Sequence, residues 1–284
     1  MPNLNLDTPV KPTWCPGCGN FGVLAAFKQA CLKENWNNSN TALVAGIGCH
    51  GHVLNFIRLT SFEGLHGRAI PVATGIKLAN NRLNVFVFTG DGDCLGEGGN
   101  HFIHACRRNH DLTVILHDNA LYSLTTGQTS PTSPHGAKTK STPLGNIDNP
   151  FSPITLAIAS GATFVARALS NDVEKLSELI TKANAHQGLS IIDVLQPCVS
   201  FNKEYTPDFY KDNFYYLDES YDVTNKEVAF TKSQEWGIKQ IPLGIFYNIE
   251  KPSYESQIPQ IKDKPLVDLV SDRKNLEDLF KKYT

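Results

Sequence analysis

The sequence predicts a doubly wound α/β fold, with a mainly parallel sheet and a C-terminal extension, from two observations. Short apolar runs ("TALVAGI", "NVFVFTG", "DLTVILHD", "ATFVARA", "LSIIDVLQP") alternate with segments of helical spacing. The runs carry apolar residues at nearly every position, as strands buried on both faces do. The chemistry-bearing residues, at 48–52, 90–93, 119–128 and 198, follow strand ends, where ligands gather on such sheets.

Taken in order, 21–33 places apolar side chains at helical spacing behind Gly19 and Asn20, and 41–47 is a buried strand running into "GCHGH". Residues 69–80 are helical, with Pro71 tolerated in the first turn. A strand at 84–93 ends in a glycine turn, followed by a helix at 98–109 and a strand at 111–119. A short helix at 152–161 and a strand at 162–168 precede an amphipathic helix at 171–186, opened by an Asn cap. The run at 189–197 closes the strand series. Residues 120–150, rich in Gly, Pro, Ser and Thr, form a loop long enough to be functional. The tail from 201 is aromatic and charged. The expected division is a domain at 1–200 and an extension at 201–284, packing on the domain or on a partner subunit.

The 284 residues are 41% hydrophobic and 19% charged, ordinary for a globular protein, and the formal charge of −2 favours neither nucleic acid nor an anionic membrane. The N-terminus lacks the basic start and apolar stretch of a secretory signal, and no apolar run approaches the roughly 18 residues that cross a bilayer. The expectation is a cytoplasmic protein, where seven cysteines point to metal or redox chemistry rather than structural disulfides.

"TGDGD" lies between a strand and a helix, a position that favours polyanions through backbone N–H groups and the helix dipole. Asp91 and Asp93 would repel a bare phosphate, so a divalent cation between carboxylate and phosphate is the consistent reading. Asn119, at the next strand end, offers a further oxygen. The bland alternative is an acidic βα turn and an unrelated asparagine. In "WCPGCGN", Cys15 and Cys18 suit a redox pair, a metal site or a shaped turn. Against a thioredoxin-like pair, the middle residues are Pro-Gly and nothing before Trp14 reads as a strand.

Gly-Asp-Gly followed by Asn119 resembles the signature of thiamine diphosphate enzymes. With "WCPGCGN", "GIGCHG", "LHGRAIPVATGIKLANNRLNVFVFTGDGD", "HDNALYSLTTGQTSPTS" and "QPCVSFN", the stretch from about 12 to 202 resembles the β subunit of the 2-oxoacid:ferredoxin oxidoreductases, with a weaker echo at 238–247. The resemblance implies the thiamine diphosphate-binding fold. It implies magnesium held by Asp91, Asn119 and the carbonyl of Leu121, and a [4Fe–4S] cluster on Cys15, Cys18, Cys49 and Cys198. Cofactor contacts are expected from Ile47, Gly48, Cys49, His50, Gly90, Asp91, Gly92, Asp93, Asn119, Leu121, Tyr122, Thr125, Gly127 and Gln128. His50 and His66 are the candidate catalytic side chains. His52, beside the cluster cysteine, is either a tuning group or a loop residue.

Relatives often carry glycines where this chain has Ser123 and Thr126, which would stiffen the loop. Cys31, Cys94 and Cys106 are expected to pack in the core. His101 and His104 are expected on a packed helix, and Arg107 and Arg108 at its dipole end. The implied activity is oxidative decarboxylation of a 2-oxoacid to acyl-CoA and carbon dioxide, with coenzyme A as cosubstrate and electrons passing through the cluster to ferredoxin. The ylide-forming glutamate comes, in the family, from a separate α subunit. Glu97 is the local carboxylate worth naming, and the isolated chain is expected to be inactive. The rival within catalysis is a non-oxidative thiamine diphosphate-dependent decarboxylase whose four cysteines hold structural zinc. Outside catalysis, the rival is an electron-transfer or zinc-stabilised binding subunit.

Overall fold

In the computed structural model, which describes residues 5–269, 278 and 280–282, eight strands form one sheet. The first four residues of the expected domain, and 270–277, 279, 283 and 284 of the expected extension, lie outside the described residues. The strand order is β2 (Ser61–Glu63), β1 (Thr41–Ala45), β3 (Asn84–Gly90), β4 (Thr113–Asp118), β8 (Ser190–Leu195), β7 (Phe164–Leu169), β10 (Ile241–Asn248) and β9 (Phe214–Tyr216). All neighbours are parallel except β10 on β7. The predicted α/β class holds.

Successive residues of a strand point to opposite faces, so a sheet covered on both sides needs uninterrupted apolar runs. Leu43, Phe86, Phe88, Ile192 and Val194 face α1 (Asn20–Glu34) and α5 (Val173–Ala185). Val44, Val85, Val87, Val114 and Leu116 face α2 (Ala69–Ala79), α3 (Gly99–Arg108) and α4 (Pro153–Ser160). On the first face Phe27 is fully buried, edge-on to Phe86 and Phe88 at 4.9 and 5.0 Å. Truncating such a ring to alanine costs about 3–5 kcal/mol.

Four sequence expectations need correction. The run at 189–197 is not the last strand, because β10 continues the sheet antiparallel to β7 and carries β9 on its far edge. The extension is thus built into the sheet; Gly244, at φ 118°, interrupts the apolar run that would have announced β10. Strand β2 escaped notice because its three residues are exposed at an edge and carry no buried pattern. Within 120–150, β5 (Leu121–Tyr122) and β6 (Gln128–Thr129) form a short antiparallel hairpin. Helix α5 is capped by Asp172, whose side chain accepts from Lys175 N at 3.2 Å, not by Asn171.

Two further helices, α6 (Pro207–Asn213) and α7 (Lys226–Lys232), lie in the extension. Its later part is fastened to the start of β4: Glu255 accepts from Asp111 N at 3.0 Å and pairs with His110 Nδ1 at 2.7 Å. Among the described residues no helix is long and apolar enough to cross a membrane.

Candidate active site

Four chain segments meet at the carboxyl edge of the sheet: Gly46–His50 after β1, Asp91–Asp93 after β3, Asn119 after β4 and Gln196–Cys198 after β8. Gly46 N bonds Phe88 O at 3.1 Å and Gln196 N bonds Asp118 O at 2.8 Å, which keeps neighbouring strand ends aligned. Two cavities open there. The smaller, about 80 Å³, is lined by Ile47, Gly48, Cys49, His50, His66, Gly90, Asp91, Gly92, Asp93, Asn119, Leu121, Tyr122 and Thr125, among others. The second, about 180 Å³, is lined by Cys15, Cys18, Cys49 and Cys198 together with His52 and Gln196. Cys49, Asn119, Ser123 and Leu124 line both, so the cavities share a wall.

Asp93 organises the first cavity. Its Oδ1 accepts from Ile47 N at 3.1 Å and Gly67 N at 2.7 Å, and faces His66 Nδ1 at 2.8 Å. Its Oδ2 accepts from Thr89 Oγ1 at 2.6 Å, with His50 Nε2 at 3.5 Å, an ion-pair distance beyond normal hydrogen bonding. Burial alone would push its pKa up. His50, Thr89 and the Gly67 N–H outweigh that and hold it at about 2. Asp93 is therefore a carboxylate. Only glycine suits position 46, since a Cβ there would lie 1.9 Å from Asp93 Oδ2.

Asp91 differs. Its Oδ2 accepts from Ser130 Oγ and, at 2.8 Å, from Thr132 Oγ1, which also reaches Asp118 Oδ1 at 2.8 Å. Burial raises its pKa to about 6, and these hydroxyls offset that only in part. A nearby divalent cation would favour the ionised form. Asn119 Oδ1 accepts from Leu121 N at 3.1 Å and Ser123 Oγ at 2.8 Å, while its Nδ2 donates to Gln196 Oε1 at 3.1 Å. One carboxylate plus amide and carbonyl oxygens fits magnesium, which takes its remaining ligands from phosphate and water rather than from a protein cage. Tyr122 covers Gly92 so closely that a Cβ there would fall 2.3 Å from the ring. The segment Gly92–Glu97 is a π-helical turn, a form frequent at functional sites.

In the second cavity, Cys18 N bonds Cys15 O at 3.0 Å to close the turn that leads into α1. Burial first, then the neighbouring thiols, push the Cys49 thiol up to about 12, and Cys18 rises for the same reasons. Four cysteines whose thiolates would repel one another call for a cationic centre. Among the described residues no three His, Cys, Asp or Glu side chains are gathered as ligands of a single ion. Four cysteines lining one cavity are a donor set that suits an iron–sulfur cluster or a structural zinc ion.

Gly127 and Gln128 lie outside both cavities: Gly127, at φ 92°, sits against Phe201, and Gln128 Oε1 accepts from Thr125 Oγ1 at 2.6 Å. Glu97 is exposed and also stands outside both. His104 accepts from Arg107 Nε at 3.3 Å on α3, away from the cavities, and Cys31, Cys94 and Cys106 are buried in the cores. Sequence reasoning did not single out Thr89, Asp118, Ser130, Thr132 or Gln196. The one available signal was the hydroxyl-rich "TSPTS" at 129–133. A larger cavity of about 560 Å³, whose wall includes Phe151, Tyr205, Tyr210, Phe230 and Trp236, borders the site through Asp118 and Thr132.

Residues 46–194 match the model of the thiamine pyrophosphate enzyme C-terminal binding domain, and 198–263 match that of the C-terminal region of the pyruvate ferredoxin oxidoreductase β subunit. The chain is 48% identical over 265 residues to 2-oxoacid:ferredoxin oxidoreductase 1 subunit β of Aeropyrum pernix, covering 89% of this chain and 83% of that protein. It is 49% identical over 270 residues to the 2-oxoacid:ferredoxin oxidoreductase subunit β of Saccharolobus solfataricus, covering 89% and 88%. Among solved structures it is similar to 2-oxoglutarate:ferredoxin oxidoreductase from Magnetococcus marinus with 2-oxoglutarate, coenzyme A and succinyl-CoA bound. There the TM-score is 0.91 at 34% identity, over 98% of this chain and 97% of that one.

Proposed function

The chain belongs to the β subunits of the 2-oxoacid:ferredoxin oxidoreductases, and from that premise we propose that it carries thiamine diphosphate, magnesium and one [4Fe–4S] cluster. In this reading the protein takes part in oxidative decarboxylation of a 2-oxoacid to acyl-CoA, with ferredoxin as acceptor, in the cytoplasm. The observation that carries the reading is the shared wall: Cys49 and Asn119 line both the Gly-Asp-Gly cavity and the four-cysteine cavity.

Asp91, Asn119 and the Leu121 carbonyl would hold magnesium. Ile47, Gly48, His50, Gly90, Gly92 and Asp93 would line the diphosphate. When bound, thiamine diphosphate supplies the electron sink for decarboxylation, and the cluster supplies a one-electron acceptor. The protein's own contribution is orientation and charge. Ionised Asp93 draws the His66 proton to Nδ1, leaving Nε2 as the ring's free nitrogen when neutral. Tyr122 packs on Gly92 beside Asp91, which is buried and bonded by Ser130 and Thr132.

The carboxylates lining the first cavity, Asp91 and Asp93, are both engaged, and Glu97 stands outside it. In this reading the glutamate that activates the cofactor comes from an α subunit, as the family resemblance implies. The test is anaerobic purification with and without that partner, followed by a panel of 2-oxoacids with coenzyme A and a viologen acceptor. The pair should turn over and the chain alone should not. A brown protein bleached by dithionite, losing its iron on substitution of Cys15, Cys18, Cys49 or Cys198 but not of Cys31 or Cys106, is expected. A colourless zinc protein that decarboxylates without an electron acceptor would sink the oxidoreductase reading.

A further inference from the structure

Gln196 is 1% exposed, lines the four-cysteine cavity and bonds Asn119, which lines both cavities. Its side-chain amide bonds at both ends. Oε1 accepts from Asn119 Nδ2 at 3.1 Å, and Nε2 donates to Cys18 Sγ at 3.4 Å and to Pro197 O at 3.2 Å. The polarity of this chain of bonds is fixed by groups that cannot be turned around. Asn119 Oδ1 accepts from the backbone N–H of Leu121, so its Nδ2 must be the donor toward Gln196. Pro197 offers only a carbonyl, so the other end of the glutamine must be its NH₂. The N–H that reaches Cys18 is therefore a consequence of the backbone around it.

We propose that Gln196 is a positioning residue that raises the cluster's reduction potential through its N–H to Cys18 and transmits occupancy of the magnesium–diphosphate site to the cluster through Asn119. The inference rests on the cofactor assignment above. A hydrogen bond to a ligating sulfur spreads its negative charge, which favours the reduced, more negative cluster. When Asn119 Oδ1 turns to a cation, its amide becomes a stronger donor to Gln196 Oε1, and polarisation along the chain of bonds strengthens the N–H on sulfur. Cofactor binding would thus make the cluster a better acceptor at the moment electrons become available.

The test is an EPR-monitored redox titration of the assembled α and β subunits, with and without thiamine diphosphate and magnesium. Gln196→Leu, which keeps the bulk and removes both bonds, should lower the reduced-to-oxidised ratio of the cluster at fixed potential by several-fold to tenfold, the latter being 59 mV for one electron. The cofactor-dependent shift present in the unmodified enzyme should vanish in the variant. Gln196→Met keeps the length of the side chain and likewise removes both bonds, so it should lower the potential to a similar extent. A cluster-loaded Gln196→Leu enzyme with unchanged potential overturns the proposal, as does an equal cofactor shift in both proteins. If Gln196→Leu assembles no cluster, the same comparison is decided by Gln196→Met: an unchanged or raised potential overturns the proposal, a lowered one supports it. Unmodified enzyme with no iron and no reducible signal would instead refute the cofactor assignment itself.

Discussion

The indole Nε1 of Trp14 donates to the carbonyl oxygen of Cys49 at 2.7 Å, tying the Cys15–Cys18 turn to the third cysteine 35 residues away. The ring also stacks edge-on against Phe21 and Phe56 at 5.3 and 4.8 Å. Trp14→Phe keeps much of the packing and removes the donor, which leaves a part-buried carbonyl less satisfied at a cost of about 1–3 kcal/mol. The expected outcome is a folded protein whose cluster is lost faster on exposure to air. Iron and acid-labile sulfide, followed over time beside the unmodified protein, check it.

Ser123 Oγ bonds Asn119 Oδ1, the atom proposed to face magnesium. The hydroxyl would therefore compete with a cation for that oxygen. A neutral hydrogen bond contributes about 0.5–1.5 kcal/mol, and about 1.4 kcal/mol is tenfold in affinity. Ser123→Ala should therefore tighten magnesium-dependent cofactor binding by up to about tenfold, read by titrating magnesium into apo-enzyme. A weakened magnesium requirement for the variant supports the competition. Weaker binding would mean the serine instead holds Asn119 in its binding pose.

Thr126 has φ 78° and Gly127 follows at 92°, two left-handed residues in succession. A β-branched residue there costs about 1–2 kcal/mol relative to a relaxed backbone, partly offset by the greater chain entropy a glycine would lose on folding. Thr126→Gly should raise the melting temperature by a few degrees at most. Gly127→Ala should lower it, because its Cβ would also meet Phe201 at 2.8 Å. The two variants melted side by side test whether the loop stores strain.

The strand core was legible because burial on both faces writes continuous apolar runs, and the candidate site was picked out by family resemblance in residues that follow those runs. Strands β2 and β10 were not. Ser61–Glu63 is an exposed edge whose pairing depends only on backbone groups, and β10 is broken by Gly244 and follows a polar stretch. Asp91 and Asn119 were singled out by their resemblance to the thiamine diphosphate signature, but Thr132 and Gln196 were not. Their roles depend on bonds to residues 41 and 77 positions away, which carry no local sequence pattern.

Glu255 locks the extension onto the sheet through His110 and Asp111 N, with the Glu255 and His110 side chains each 3% exposed. Burial opposes its ionisation, but the bonds from His110 and the Asp111 N–H prevail and hold the carboxyl below the usual glutamate value of 4.5. A group whose folded pKa is depressed contributes stability that is fully present above its unfolded pKa and is lost as pH falls through the folded value. The lock should thus be intact at pH 7 and weaken in acid below 4.5. Glu255→Gln keeps the shape and removes the charge, at a cost of about 1–3 kcal/mol near neutrality. Its melting temperature should lie below that of the unmodified protein at pH 7, and the gap should close as acid protonates Glu255 in the latter. A gap that stays constant from neutral to acid pH would show that the charge at residue 255 contributes nothing to holding the extension in place.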